Sequence, residues 1–186
     1  LLGYFYTARP IRLVARRGLG ELAIFLTFGP LLTLGALFAI SSNTVELFSP
    51  EFYKAIYIGI PFGFLTTNIL YINQFPDTNS DAKTGKNHLI VTFGKKNARW
   101  GYLLILIAAF ASSFALIQTI SSDLSFFNEY FFIVGNIIVF VYGLSAFFNL
   151  FKNYDKRELV HSNLKTIYLQ IFYGLFIILA LNLFFL

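Results

Sequence analysis

The sequence predicts an all-α membrane protein built on five transmembrane helices, and three observations carry that expectation. Of 186 residues, 57% are hydrophobic and only 12% charged, with a mean hydropathy of +0.69. Soluble domains are roughly 45–50% apolar and roughly 25% charged. The apolar residues gather in charge-free runs close to the roughly 20 residues a helix needs to cross a hydrocarbon core about 30 Å thick. Finally, the charges separate by sign between alternate loops.

Leu1 to Thr7 is apolar and aromatic and reads as the tail of a further helix; the basic run Arg9, Arg12, Arg16 and Arg17 follows it, the reverse of a signal peptide. The predicted spans are 22–40, 55–75, 100–122, 130–151 and 166–186. Each is too long for a strand, and a helix satisfies its backbone internally, as lipid demands. Gly29-Pro30 and Pro61 lie inside the first two spans and are expected to kink them. The chain begins at Leu1 and has no methionine, so it is expected to be a piece of a longer protein.

Alternating the loops across five helices places Arg9–Glu21, Pro76–Arg99 and Lys152–Lys165 on one face. That face holds 13 of the 14 Lys and Arg and five of the nine Asp and Glu, or +8. The opposite face has Lys54 against Glu46, Glu51, Asp123 and Glu129, or −3. The positive-inside rule puts the basic face in the cytoplasm. Basicity is thereby explained by topology, and cations spread over three membrane loops are no nucleic-acid footprint. With no cysteine and only two histidines, disulfides and thiolate metal sites are excluded and zinc and haem are poorly supported.

Polar residues inside spans are costly unless they pair or face a cavity. Asn136, Asn149, Gln170 and Asn182 occur singly and are expected to hydrogen-bond between helices. The second span is richer, with Thr66, Thr67, Asn68, Asn73 and Gln74 towards its cytoplasmic end. It runs into "NQFPDTNSDAKTGKNHL", where Asn73, Asp77 and Asp81 recur every four residues. In a helix that spacing sets them on one face, although Pro76 predicts a break or kink just before Asp77. Paired carboxylates suit Mg²⁺, a hard cation completed by water and phosphate oxygens, and Lys83 and Lys86 are placed to meet the same phosphates. The spacing alone does not decide, because these residue types are common in loops, carboxylates cap helices and lysines serve topology. Thr78, Asn79 and Ser80 read as loop.

The string "NQFPDTNSDAKTGKNHLIVTFGKKNAR" resembles the second aspartate-rich motif of the UbiA superfamily of intramembrane prenyltransferases: Asp77-x-x-x-Asp81, then Gly85-Lys86, then an apolar strip ending at Gly94. Upstream, "YTARPIRLVARRGLGELAIFLTFGPL" resembles the loop entering the family's fifth helix. Within the superfamily the two segments look most like the branch that prenylates 1,4-dihydroxy-2-naphthoate in menaquinone synthesis. His88 stands where a small hydroxyl residue is expected, and Arg12 where a second proline is common. The chlorophyll, haem O, homogentisate, 4-hydroxybenzoate and ether-lipid branches share the chemistry and are poorly separated by this part of a chain.

The resemblance implies that residues 1–186 are the C-terminal part of one transmembrane prenyltransferase domain, a nine-span bundle in a bacterial or archaeal cell membrane. About four N-terminal helices and another aspartate-rich motif would come from the rest of the protein, so the isolated chain is expected to be inactive. The implied partners are a polyprenyl diphosphate, an aromatic acceptor and membrane lipid, with no nucleic acid. Asp77 and Asp81 would hold Mg²⁺; Lys86, with Arg16 or Arg17, would neutralise the diphosphate. Asn73 would bind the metal or position Asp77, and Tyr6 and Asn68 are further candidate substrate contacts. Lys95, Lys96 and Arg99 read as topological anchors, His88 and His161 as solvated loop residues. A transporter or non-catalytic membrane subunit would share the spans and basic loops without needing the paired aspartates.

Overall fold

A computed structural model describes residues 1–41, 45–120 and 126–185. The regular elements of the described chain are all helical: α1 (Leu2–Thr7), a 3-10 turn (Leu13–Ala15), α2 (Leu19–Phe28), α3 (Pro30–Ile40), α4 (Pro50–Lys83), α5 (Leu89–Phe93), α6 (Lys95–Ile120), α7 (Phe126–Asn153) and α8 (Leu159–Phe185). Five helical segments are long and apolar enough to cross a membrane: Leu19–Ile40, Pro50–Lys83, Lys95–Thr119, Asn128–Asn153 and Leu159–Asn182. They overlap the five predicted spans. The end of the third span at Ser121 and Ser122, the charge of Asp123, and Leu186 lie outside the described residues.

The prolines behave unequally. Gly29-Pro30 divides the first span into α2 and α3, Pro30 taking the first helical position, where its missing N–H costs nothing. Neither Pro61 nor Pro76 ends α4. The break expected before Asp77 is therefore absent, and Thr78, Asn79 and Ser80 are helical. Pro76 forfeits one ladder bond but stands exposed, and the Thr78 hydroxyl adds bonds to the Gln74 and Phe75 carbonyls beside it, at 3.0 and 2.8 Å. At 1.5 Å per residue, the 34 residues of α4 reach about 50 Å. Its last two turns thus project beyond a hydrocarbon core of about 30 Å.

Helix α4 is the hub and packs against α2, α3, α6 and α8, while α7 joins α6 to α8. Gly59 and Gly63, spaced as a G-x-x-x-G, let α4 approach the α2–α3 joint backbone to backbone. A Cβ on Gly63 would lie 2.6 Å from the Phe25 carbonyl oxygen, and one on Gly59 2.8 Å from that of Gly29. In the core, Ser113 donates to Asn136 at 2.6 Å and receives the Tyr173 hydroxyl at 2.8 Å, tying α6, α7 and α8 together. Gln170 of α8 donates to Thr66 of α4 at 2.8 Å. Asn136 and Gln170 thus bond between helices as expected. Asn149 and Asn182 depart from that expectation, since each pairs within its own helix.

Candidate functional site

The three basic segments meet at one end of the bundle. The Asn87 N–H donates to the Ala15 carbonyl at 3.2 Å, joining the sequel of the aspartate motif to the turn before Arg16 and Arg17. Lys95 pairs with Asp155 at 2.7 Å, joining the start of α6 to the α7–α8 connection. Arg99 donates to the Phe151 carbonyl at 3.0 Å, and its guanidinium lies 3.7 Å from the centre of the Phe151 ring.

Asp77 and Asp81 project one helical turn apart from the end of α4, on the stripe that also carries Asn73. The helix ends in a glycine turn. Gly85 takes φ +72°, its N–H donates to the Ala82 carbonyl at 3.2 Å, and the Lys86 N–H returns to the Asp81 carbonyl at 2.9 Å. This pair of bonds is a Schellman cap, which needs a residue tolerant of positive φ. Its consequence is functional: the chain doubles back, and Lys86 Nζ reaches Asp81 Oδ1 at 2.7 Å.

His88 continues that turn. It is 1% exposed, and its Nε2–H donates to Asp81 Oδ2 at 3.2 Å. The expectation of a solvated His88 is therefore corrected: the turn after Gly85 carries the ring inward, where Asp81 receives it. His161 is exposed, on α8. Asp81, with a side chain 13% exposed, is gripped through both oxygens. Asp77 is exposed, and its carboxylate has no hydrogen-bond or ion-pair partner among the described residues.

The other candidates divide. Asn73 accepts from Asn163 of α8 at 2.6 Å and so braces the motif against α8 instead of bonding to Asp77. Arg16 spends its guanidinium on the Ile11 and Pro10 carbonyls, at 2.7 and 3.4 Å, and Arg17 is exposed beside it. Tyr6 is half-buried within electrostatic reach of Glu21 and lines a small apolar recess with Ala23 and Thr27. Asn68 is fully buried and donates to the Tyr102 carbonyl at 3.2 Å. Nine residues from Asp77 is two and a half turns, so Asn68 faces the α6 interface and is not brought to the site.

Sequence reasoning passed over Glu21, which it counted only as a loop charge. Glu21 is 5% exposed and accepts the Leu89 N–H at 3.4 Å, fixing the segment that follows His88. An acid at the head of an apolar run was the available signal.

Beneath the aspartates, on the same stripe of α4, lies an apolar recess of about 540 Å³ lined by Phe28, Leu32, Thr33, Ala36, Phe62, Thr66 and Gln170. Eleven residues separate Thr66 from Asp77, about 16 Å along the helix. Among the described residues no cluster of three or more His, Cys, Asp or Glu side chains is placed to hold a metal ion. The oxygen donors present are the unpartnered Asp77 carboxylate, the Asp81 carboxylate held by Lys86 and His88, and the Asn73 amide, whose oxygen accepts from Asn163. Hard oxygen donors in that number fit Mg²⁺, which takes one or two carboxylates and leaves its other positions to water and phosphate.

UbiA prenyltransferase domain-containing protein 1 of Dictyostelium discoideum is 28% identical over 174 residues, covering 94% of this chain and 47% of that protein. The 1,4-dihydroxy-2-naphthoate octaprenyltransferase of Escherichia coli (strain K12) is 30% identical over 92 residues, 50% of this chain and 28% of the enzyme. The 2-carboxy-1,4-naphthoquinone phytyltransferase of Synechocystis is 35% identical over 96 residues, 51% of this chain and 28% of the enzyme. The chain thus spans about half or less of the length of these relatives. No solved structure matches it. The profile of the UbiA prenyltransferase family matches residues 1–172, nearly the whole chain, and the chain belongs to that family.

Proposed function

We propose that this chain forms the second-aspartate half of a Mg²⁺-dependent enzyme that transfers a polyprenyl group from its diphosphate to an aromatic ring, 1,4-dihydroxy-2-naphthoate being the favoured acceptor. The supporting observation is the stacking on one stripe of α4: an acidic and basic end at Asp77, Asp81 and Lys86 above an apolar recess at Phe62 and Thr66. A prenyl diphosphate has the same division of a charged head and an apolar chain. The acceptor assignment rests on the naphthoate and naphthoquinone enzymes among the relatives. The remaining helices and the other aspartate motif would come from the rest of the protein, with the basic end in the cytoplasm.

Asp77 and Asp81 would hold Mg²⁺, which would supply Lewis-acid neutralisation of the diphosphate leaving group. Lys86 swings its ammonium from Asp81 to the phosphate oxygens, where negative charge grows as the allylic C–O bond breaks and its electron pair leaves with diphosphate. An electron-rich ring carbon then attacks the allylic carbon, and loss of the ring proton to water restores aromaticity. His88 keeps Asp81 oriented while Lys86 is away. Arg17, exposed beside the motif, is a second candidate for the phosphates.

The test is turnover of the full-length protein with a polyprenyl diphosphate, Mg²⁺ and a panel of aromatic acceptors. Asp77→Ala or Asp81→Ala is expected to lower turnover by roughly a thousandfold, and chelation of Mg²⁺ to abolish it. Unchanged turnover in both variants overturns the site, and preference for another ring overturns the acceptor.

A further inference from the structure

A second polar feature of the basic end is not used by the proposed reaction. A cleft of about 430 Å³ opens between Pro76 of α4, Lys95 at the head of α6, the α7–α8 connection with Tyr154, Lys156 and Arg157, and Asn163 of α8. Its lining holds three cations against one carboxylate, Asp155, which is committed to Lys95 at 2.7 Å. Among the described residues Lys156 and Arg157 have no ion-pair partner, and both are exposed. The positively polarised N-termini of α6 and α8 stand at the same place. The cleft therefore has a net attraction for an anion.

The walls say what kind of anion. Val160 lines the cleft and is 54% exposed. Below it on α8, Leu164, Ile167 and Ile171 are also exposed, at steps of four, three and four residues that keep one helix face. A cationic mouth thus leads into an apolar strip running along a membrane-spanning helix. Inorganic phosphate would use only the mouth, whereas a phospholipid matches both parts. Basic pockets between helices at a membrane surface are suited to anionic headgroups, each cation there adding roughly a fivefold gain in affinity.

We propose that this cleft binds the phosphate headgroup of an anionic phospholipid through Lys156 and Arg157, its acyl chain lying along Val160, Leu164, Ile167 and Ile171. The site adjoins the aspartate motif, since Pro76 borders the cleft and Asn163 bonds to Asn73. It does not depend on the prenyl-transfer reading.

Delipidated full-length protein in neutral detergent, titrated separately with phosphatidylglycerol, phosphatidylcholine and inorganic phosphate, tests the proposal with bound ligand counted by native mass spectrometry. Saturable binding of phosphatidylglycerol, with phosphatidylcholine and phosphate binding far more weakly, is expected. The double variant Lys156→Ala/Arg157→Ala should weaken phosphatidylglycerol by roughly thirtyfold, and Lys54→Ala, on the opposite face, should leave it unchanged. Both replaced side chains are exposed, so an unfolding midpoint equal to that of the parent confirms that the variant folds. Binding that survives the double substitution overturns the proposal, as does equal affinity for phosphatidylcholine or for phosphate. Because no turnover is read, failure here leaves the donor site standing, and Asp77→Ala should bind phosphatidylglycerol normally.

Discussion

The two faces of α4 are made of different material. On one, Leu65, Asn68, Tyr71, Ile72 and Phe75 are no more than 2% exposed and pack chiefly on α6, with the Tyr71 hydroxyl donating to the Ala98 carbonyl at 2.8 Å. On the other, Phe62 and Thr66 border an open recess, and Asn73 and Asp77 are exposed. One face spends its residues on fixing the helix; on the other, Thr66 and Asn73 bond to α8 while the Asp77 carboxylate is left without a partner among the described residues. A site on the second face inherits its precision from packing on the first, which is why a polar stripe can project from the end of a long helix and still hold its geometry.

Substitutions on each face should separate the two roles. The largest effect is expected from Asp77→Ala, with the thousandfold loss of turnover given above and an unfolding midpoint within the spread of surface variants. Phe75→Ala should do the reverse, removing a fully buried ring and costing about 3 kcal/mol of stability; a lowered thermal or denaturant midpoint checks it. Smaller is the effect of His88→Ala, which leaves Asp81 with Lys86 alone. A 10- to 100-fold weaker dependence on Mg²⁺ is expected, as for other residues that orient a metal ligand, measured by Mg²⁺ titration of pyrophosphate binding as well as of turnover. If His88→Ala changes only the midpoint, the histidine belongs to the packing face. Smallest is Gly85→Ala, a Cβ at φ +72°, expected to cost about 1 kcal/mol, with Gly85→Asn recovering much of it because asparagine tolerates that conformation.

Much of this arrangement was legible in the sequence. The five spans follow from charge-free length alone, and the i, i+4 spacing of Asn73, Asp77 and Asp81 gave their common face once the segment proved helical. Pro76 obscured that helix, because the proline rule counts a lost backbone bond and cannot see that the ring is exposed and costs only that one bond. His88 was unreadable for a related reason: a polar residue in a polar stretch gives no sign that a glycine turn will fold it inward onto Asp81. Asn68 misled in the opposite sense, since membership of a polar cluster says nothing about which side of a helix a residue occupies until the turns are counted. The close approach of Gly29 to Gly59 and Gly63 was not read from the sequence, because it is a meeting of two helices that only the fold brings together.

The pairing of Lys86 with Asp81 at 2.7 Å has a thermodynamic consequence of its own. A cation that takes Asp81 alone leaves the Lys86 ammonium unpaired, and an anion that takes Lys86 alone leaves Asp81 with His88 only, so each ligand on its own gives up an ion pair whose loss the other offsets. Under the proposed function, metal and diphosphate are therefore positively coupled, each raising the affinity of the other by the same factor, and the resting pair acts as a lock that opens to two keys turned together.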